Sequence, residues 1–153
     1  MSEFGRAQEK LKAVVDTNVF VAAVFWRGSA RECLARFARR QFEAVVSEPI
    51  LREFAETAWE LKILEHLPQN PQPWLNWMNG RATIIAPIPL NKPMCSDADD
   101  EKFIECALAA RAPYIVSRDR HLLQLVKPFG ISIVDDRDFL AILNRRQRVK
   151  PIR

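Results

Sequence analysis

Glycine is scarce in this 153-residue chain, at four, and histidine scarcer, at two. So few glycines leave little room for phosphate-cradling loops, and no GxGxxG follows any apolar run, which argues against a dinucleotide-binding fold. The histidines, His66 and His121, stand far apart, and the three cysteines (Cys33, Cys95, Cys106) form no CxxC pair. Zinc needs about four closely organised nitrogen or sulfur ligands, so a Cys/His zinc site is not supported. Buried, reduced thiols are the simpler reading and suit the cytosol. The longest apolar run, Val19 to Trp26, falls far short of the roughly 20 residues of a membrane span. No signal-peptide pattern opens the chain, so a cytoplasmic protein with no membrane partner is expected.

The length suits one domain with a proper core and no disulfide staples. Its net charge of +4 is unevenly placed. Asn144 to Arg153 holds Arg145, Arg146, Arg148, Lys150 and Arg153 and no acid, while the rest carries 18 basic and 19 acidic residues. Such a tail either holds a polyanion by counterion release or is simply solvated. The expected organisation is a flexible lead over 1–11, a domain over 12–143 and a basic tail over 144–153.

Short β-branched runs alternate with helical patterns. Strands are predicted at Ala13–Val15, Ala44–Val46, Ala82–Ala86, Tyr114–Val116 and Ile131–Val134. Between them lie helical segments over 18–26, 30–40, 97–111 and 120–126, and a last one over 136–144. Ser47-Glu48-Pro49 reads as a helix start, with Ser as N-cap and Pro in the first turn. A further helix over Pro71–Asn79 would close on Gly80 as its C-cap. This alternation predicts an α/β fold, a parallel sheet covered by helices on both faces. In such folds ligands bind outside the carboxyl ends of the strands.

Two strands finish on acids there: Val14-Val15-Asp16-Thr17-Asn18 and Ile115-Val116-Ser117-Arg118-Asp119. Cys95-Ser96-Asp97-Ala98-Asp99-Asp100-Glu101 is an acidic helix start, and Glu53 lies about one turn into the helix after the second strand. Singly, each has a bland explanation in helix capping or a solvated face. Right-handed crossovers, however, bring several of these edges into one crevice. Two carboxylates about 5 Å apart repel by roughly 3 kcal/mol at an effective dielectric of 20, so several together call for a cation. Oxygen ligands without nearby His or Cys select hard ions such as Mg²⁺ or Mn²⁺.

In order and spacing, four pieces resemble a PIN domain, and within that family the bacterial and archaeal toxin components. They are Val14-Val15-Asp16-Thr17-Asn18-Val19-Phe20, Val45-Val46-Ser47-Glu48-Pro49-Ile50-Leu51-Arg52-Glu53, Asp97-Ala98-Asp99-Asp100-Glu101-Lys102-Phe103, and Ala112 through Asp119 leading to His121-Leu122-Leu123. The resemblance covers about Lys12 to Leu143. It implies a three-layer α/β/α sandwich around a parallel five-stranded sheet, and a metal-dependent endoribonuclease. It maps the family's acids to Asp16, Glu53, Asp100 and Asp119, with Asp97 a second candidate for the third ligand and Glu48 a weaker rival to Glu53. Asp16, Asp97, Asp100 and Asp119 are the implied ligands of Mg²⁺ or Mn²⁺, and Glu53 would orient or deprotonate the attacking water. Asn18 matches the residue that orients the first aspartate, and Ser117 the hydroxyl residue before the last. RNA as substrate, a cognate antitoxin and a homodimer are implied with them.

Other residues stay open. Arg118 either contacts a phosphate or is paired internally. Trp74 and Trp77 read as core packing before partner surface. Arg27 and Gly28 end the first helix, and His121 reads as a first-turn residue more readily than as a base. A catalytically silent PIN-like module that binds RNA or protein is the rival reading. A receiver-type phosphoacceptor fares worse, since it would need paired acids after the first strand and a lysine after the fifth.

Overall fold

Apolar, β-branched residues suit a strand buried on both faces, and Lys12–Val15 forms such a strand, β1, at the centre of a five-stranded sheet. The computed structural model describes residues 10–92, 98–125 and 127–148. The remaining strands are β2 (Glu43–Val46), β3 (Thr83–Ile84), β4 (Tyr114–Val116) and β5 (Ser132–Val134). Their order is β3-β2-β1-β4-β5, and every pairing is parallel. Val15 lies opposite Val116, and Val116 opposite Val134, so β1, β4 and β5 finish level with one another. The chain builds β2 and β3 outward on one side of β1, then returns to add β4 and β5 on the other. The order therefore reverses between β1 and β4, and a crevice opens at their carboxyl ends.

Seven α-helices flank the sheet among the described residues: α1 (Thr17–Phe25), α2 (Ser29–Ala38), α3 (Glu48–Glu65), α4 (Gln72–Arg81), α5 (Glu101–Ala110), α6 (Arg120–Leu123) and α7 (Asp136–Arg148). This is the three-layer α/β/α arrangement expected from the alternating pattern. The apolar run after Asp16 is the fully packed helix α1, which lies against α2 and α3. No helix among the described residues is long and apolar enough to cross a membrane. Phe20 of α1 stacks on Phe54 of α3, with ring centroids 4.3 Å apart and planes 2° from parallel. That stack fixes the first helix against the third beside the sheet edge. α5 covers β1, β2 and β4, and α2 packs on α7.

Several element ends differ from expectation. β3 is two residues long, although the Ile85 N–H still reaches the Val46 carbonyl at 2.7 Å before Pro87 and Pro89 take the chain away. Gly80 lies inside α4, and Ala82 closes the helix by donating its N–H to Met78. The acidic stretch forms a short 3-10 turn over Ala98–Asp100 before α5 begins. α7 runs on to Arg148, so Arg145, Arg146 and Arg148 belong to its last turns, where cations favour the helix dipole. The last helix, expected over 136–144, thus runs on to Arg148. Trp74 and Trp77 meet edge to face at 6.1 Å, and Trp77 packs on Phe37, the core role expected for the pair. Cys33 and Cys106 are buried, and burial pushes both thiols up to about 12, which leaves them inert. Cys95 falls outside the described residues.

Candidate active site at the switch point of the sheet

Asp16 leaves β1 and caps α1. Its Oδ1 accepts the Val19 N–H at 3.1 Å, and its Oδ2 accepts the Ser117 hydroxyl at 2.5 Å. Only 3% of the residue is exposed. Burial raises its pKa from 3.8 to about 6, although hydrogen bonds from Ser117 and the backbone of Val19 and Asn18 pull the other way; the Asp119 charge pushes it up further. Asn18 is exposed, and the hydrogen bonds that hold Asp16 come from the Ser117 hydroxyl and from backbone N–H groups, that of Asn18 among them.

Ser117 follows β4 directly, as Asp16 follows β1, and the Asp16 N–H bonds the Val116 carbonyl at 2.9 Å. While donating to Asp16, the Ser117 oxygen accepts the Asp119 N–H at 2.9 Å. Asp119 uses Oδ1 to accept the His121 N–H at 2.9 Å, and its Oδ2 accepts no hydrogen bond among the described residues. Both acids therefore cap helices, as the bland reading has it. Capping nevertheless leaves Asp119 close enough for its charge to act on Asp16.

Glu53 joins this chain of contacts through Thr17, whose hydroxyl donates to Oε2 at 2.6 Å. Lys102 of α5 pairs with Oε1 and also donates to the Asp99 carbonyl at 2.5 Å. The rival Glu48 has 83% of its side chain exposed and pairs at 3.6 Å with Arg52. Of the candidates for the third acid, Asp100 is buried at the start of α5, Asp99 is exposed, and Asp97 lies outside the described residues. His121 is exposed on the four-residue helix α6.

Among the described residues, no three His, Cys, Asp or Glu side chains converge as a ready-made metal cage. The donor chemistry still fits a hard ion. Asp16 and Asp119 offer oxygen only, Asp16 is a buried anion held by neutral donors, and Mg²⁺ commonly uses one or two carboxylates with waters and substrate phosphates completing its shell.

One buried acid went unnoticed in the sequence. Asp136, 2% exposed, opens α7 and receives Arg118 in a two-point grip, Nε to Oδ1 at 2.9 Å and Nη2 to Oδ2 at 2.7 Å. Ser29 donates to the same Oδ2. Burial alone would raise the Asp136 pKa, but the hydrogen bonds from Arg118 and Ser29 and the Arg118 charge outweigh it and hold it low. Arg118 is raised in return, chiefly by the hydrogen bond to Asp136. Arg118 is thus internally paired, yet 45% of its side chain remains exposed. Ile133-Val134-Asp135-Asp136 is a third strand running into aspartates, and that was the available signal.

Comparison with known proteins agrees with this architecture. Over 143 residues the chain is 29% identical to an uncharacterized protein of Methanocaldococcus jannaschii, which covers 92% of this chain and 86% of the relative. Residues 12–121 match the family model of a PIN domain, a span that takes in Asp16, Glu53, Asp100 and Asp119. With its parallel sheet, its acid-lined switch point and that match over more than half its length, the chain belongs to the PIN-domain family, whose fold is of nuclease type.

Proposed function

We propose that the protein is a metal-dependent endoribonuclease that hydrolyses RNA phosphodiester bonds at the crevice between β1 and β4. The carrying observation is Asp16, a buried carboxylate held by hydrogen bonds from neutral groups and joined to Asp119 through the Ser117 hydroxyl. Asp16 and Asp119 would hold Mg²⁺ or Mn²⁺, with Asp100, or Asp97 beyond the described residues, as the third ligand. A bound ion of this kind supplies Lewis-acid stabilisation of phosphoryl charge and a more acidic water. Ser117 fixes the Asp16 carboxylate, and Asp119 keeps Oδ2 without a hydrogen bond among the described residues. Glu53 has both oxygens engaged, so it orients or deprotonates the attacking water only by exchanging a contact with Thr17 or Lys102. RNA cleavage is measured for wild type and Asp16→Asn with each metal. Loss of cleavage in the variant is expected, and equal activity would sink the assignment.

Within that reading the chain is a cytoplasmic, homodimeric toxin component held in check by a cognate antitoxin. Induced expression in a bacterial host should arrest growth for wild type and not for Asp16→Asn. Unimpaired growth despite an active nuclease would overturn the toxin role.

A catalytically silent module is the second reading. It is favoured by the absence of a three-ligand cage among the described residues and by the engaged Glu53. Calorimetric titration with Mn²⁺ separates the two, since a silent module should give no binding heat.

A further inference from the structure

Between α1 and α2 the chain turns through Trp26, Arg27 and Gly28, and with Ala22, Ala30 and Arg118 these line a recess of about 160 Å³. Gly28 sits at φ 146°, a conformation that side-chain-bearing residues rarely adopt, so the turn depends on glycine. Trp26 is 49% exposed, yet its ring is braced edge to face against buried Phe25 at 5.9 Å. Arg27 is exposed and makes no ion pair or side-chain hydrogen bond among the described residues. Arg118 also lines the recess, its Nε and Nη2 edge gripped by Asp136 and nearly half its side chain open. Arg118 stands between Ser117 and Asp119 in the chain, so one wall of the recess is carried by the segment that bears the second acid.

An exposed indole beside two guanidinium groups is the chemistry that receives a single-stranded nucleotide. Aromatic rings stack on any base, and guanidinium groups fork onto phosphate oxygens. A phosphate alone would leave the exposed indole without a role, and an apolar ligand would leave the arginines without one. We propose that this recess is a subsite for one nucleotide flanking the scissile bond, with Arg27 and Arg118 on its phosphate and Trp26 stacked on its base. Asp136 is then a positioning residue that holds Arg118 in place. The choice of RNA as ligand rests on the ribonuclease reading above; the recess itself does not depend on catalysis.

The test is binding of a fluorescently labelled, mixed-sequence single-stranded RNA in EDTA, read by anisotropy over a range of salt. Trp26→Ala should weaken binding about tenfold or more, and Trp26→Phe should keep most of the affinity. Arg27→Ala should weaken it about tenfold and flatten the slope of log K against log salt by about 0.7. Arg146→Ala removes the same charge roughly 15 Å along α7 from Asp136 and should leave binding unchanged. Wild-type affinity in Trp26→Ala and Arg27→Ala overturns the subsite, as does an equal loss in Arg27→Ala and Arg146→Ala. Cleavage assays with Mg²⁺ or Mn²⁺ separate the two ideas. If wild type cleaves while the recess variants bind RNA normally, only the subsite falls. If wild type binds through the recess and cleaves with neither metal, only the nuclease reading falls. If wild type does not bind RNA at all, both fall.

Discussion

The Ser117 hydroxyl donates to Oδ2 of Asp16 at 2.5 Å while its oxygen receives the Asp119 N–H at 2.9 Å. One buried side chain thus sets the spacing of two acids that come from different strands and lie 103 positions apart in sequence. Groups that orient a metal's ligands commonly matter almost as much as the ligands. Ser117→Ala should therefore lower RNA cleavage by about 10- to 100-fold and raise the metal concentration needed for half-maximal activity. It should also cost roughly 1–3 kcal/mol, because the buried Asp16 oxygen loses its donor. Metal-dependence curves and thermal melts check both effects, and an unchanged metal requirement would reduce Ser117 to a structural residue.

Asp16 itself should destabilise the metal-free protein. Its native pKa is about 6 against 3.8 in the unfolded chain. Between those values the native state keeps a proton that the unfolded state has lost, so this residue's contribution to stability falls as pH rises from about 4 to 6. Above pH 6 the full penalty, about 3 kcal/mol, applies. Asp16→Asn should therefore raise stability in EDTA at pH 7.5 and make little difference below pH 4. Added Mn²⁺ should raise the melting temperature of wild type more than that of the variant. Denaturant melts across this pH range measure the gap, and a gap that does not shrink on acidification would contradict the burial argument.

The strand-end acids were legible because a short β-branched run stopped by Asp is a local pattern, and in parallel sheets such stops share one edge. Asp16 follows β1 directly, and Asp119 lies three residues beyond Val116. Glu53 was preferred to Glu48 on resemblance alone, since both lie early in α3; the contact from Thr17 to Glu53 crosses elements and is not written in local sequence. The pairing of Asp136 was hidden for the same reason. Its partner Arg118 is brought to it by the register of Val116 opposite Val134, which sequence spacing does not encode. Helix ends were misjudged where propensity and context disagree: Gly80 continues α4, and the arginines after Asn144 continue α7.

Glu53 and Lys102 pose a choice between chemistry and scaffolding. Lys102 ties Glu53 to the start of α5, and Thr17 ties it to α1. If Glu53 handles the attacking water, Glu53→Gln keeps the size and the Thr17 contact but should lower kcat about 100-fold, with little change in KM. Lys102→Met should cost about 1–2 kcal/mol through the lost charged hydrogen bond. Equal kcat in wild type and Glu53→Gln would leave Glu53 as a tie between helices.

Asp136 makes the opposite pH prediction to Asp16. Its native pKa is held below 3.8, so its contribution to stability is present above the unfolded value and is lost as pH falls through the lower native one. Asp136→Asn should therefore weaken the protein at neutral pH, and its deficit should shrink below about pH 4. Because Arg118 is 45% exposed and can turn to water once released, the cost should be about 1–3 kcal/mol, less than for a fully buried pair. Asp16 shares no hydrogen bond with this pair among the described residues, so the bell of stability against pH should move in opposite directions in the two variants. Urea melts of wild type, Asp16→Asn and Asp136→Asn across that range check this, and parallel shifts in both variants would show that the two acids do not titrate as their surroundings dictate.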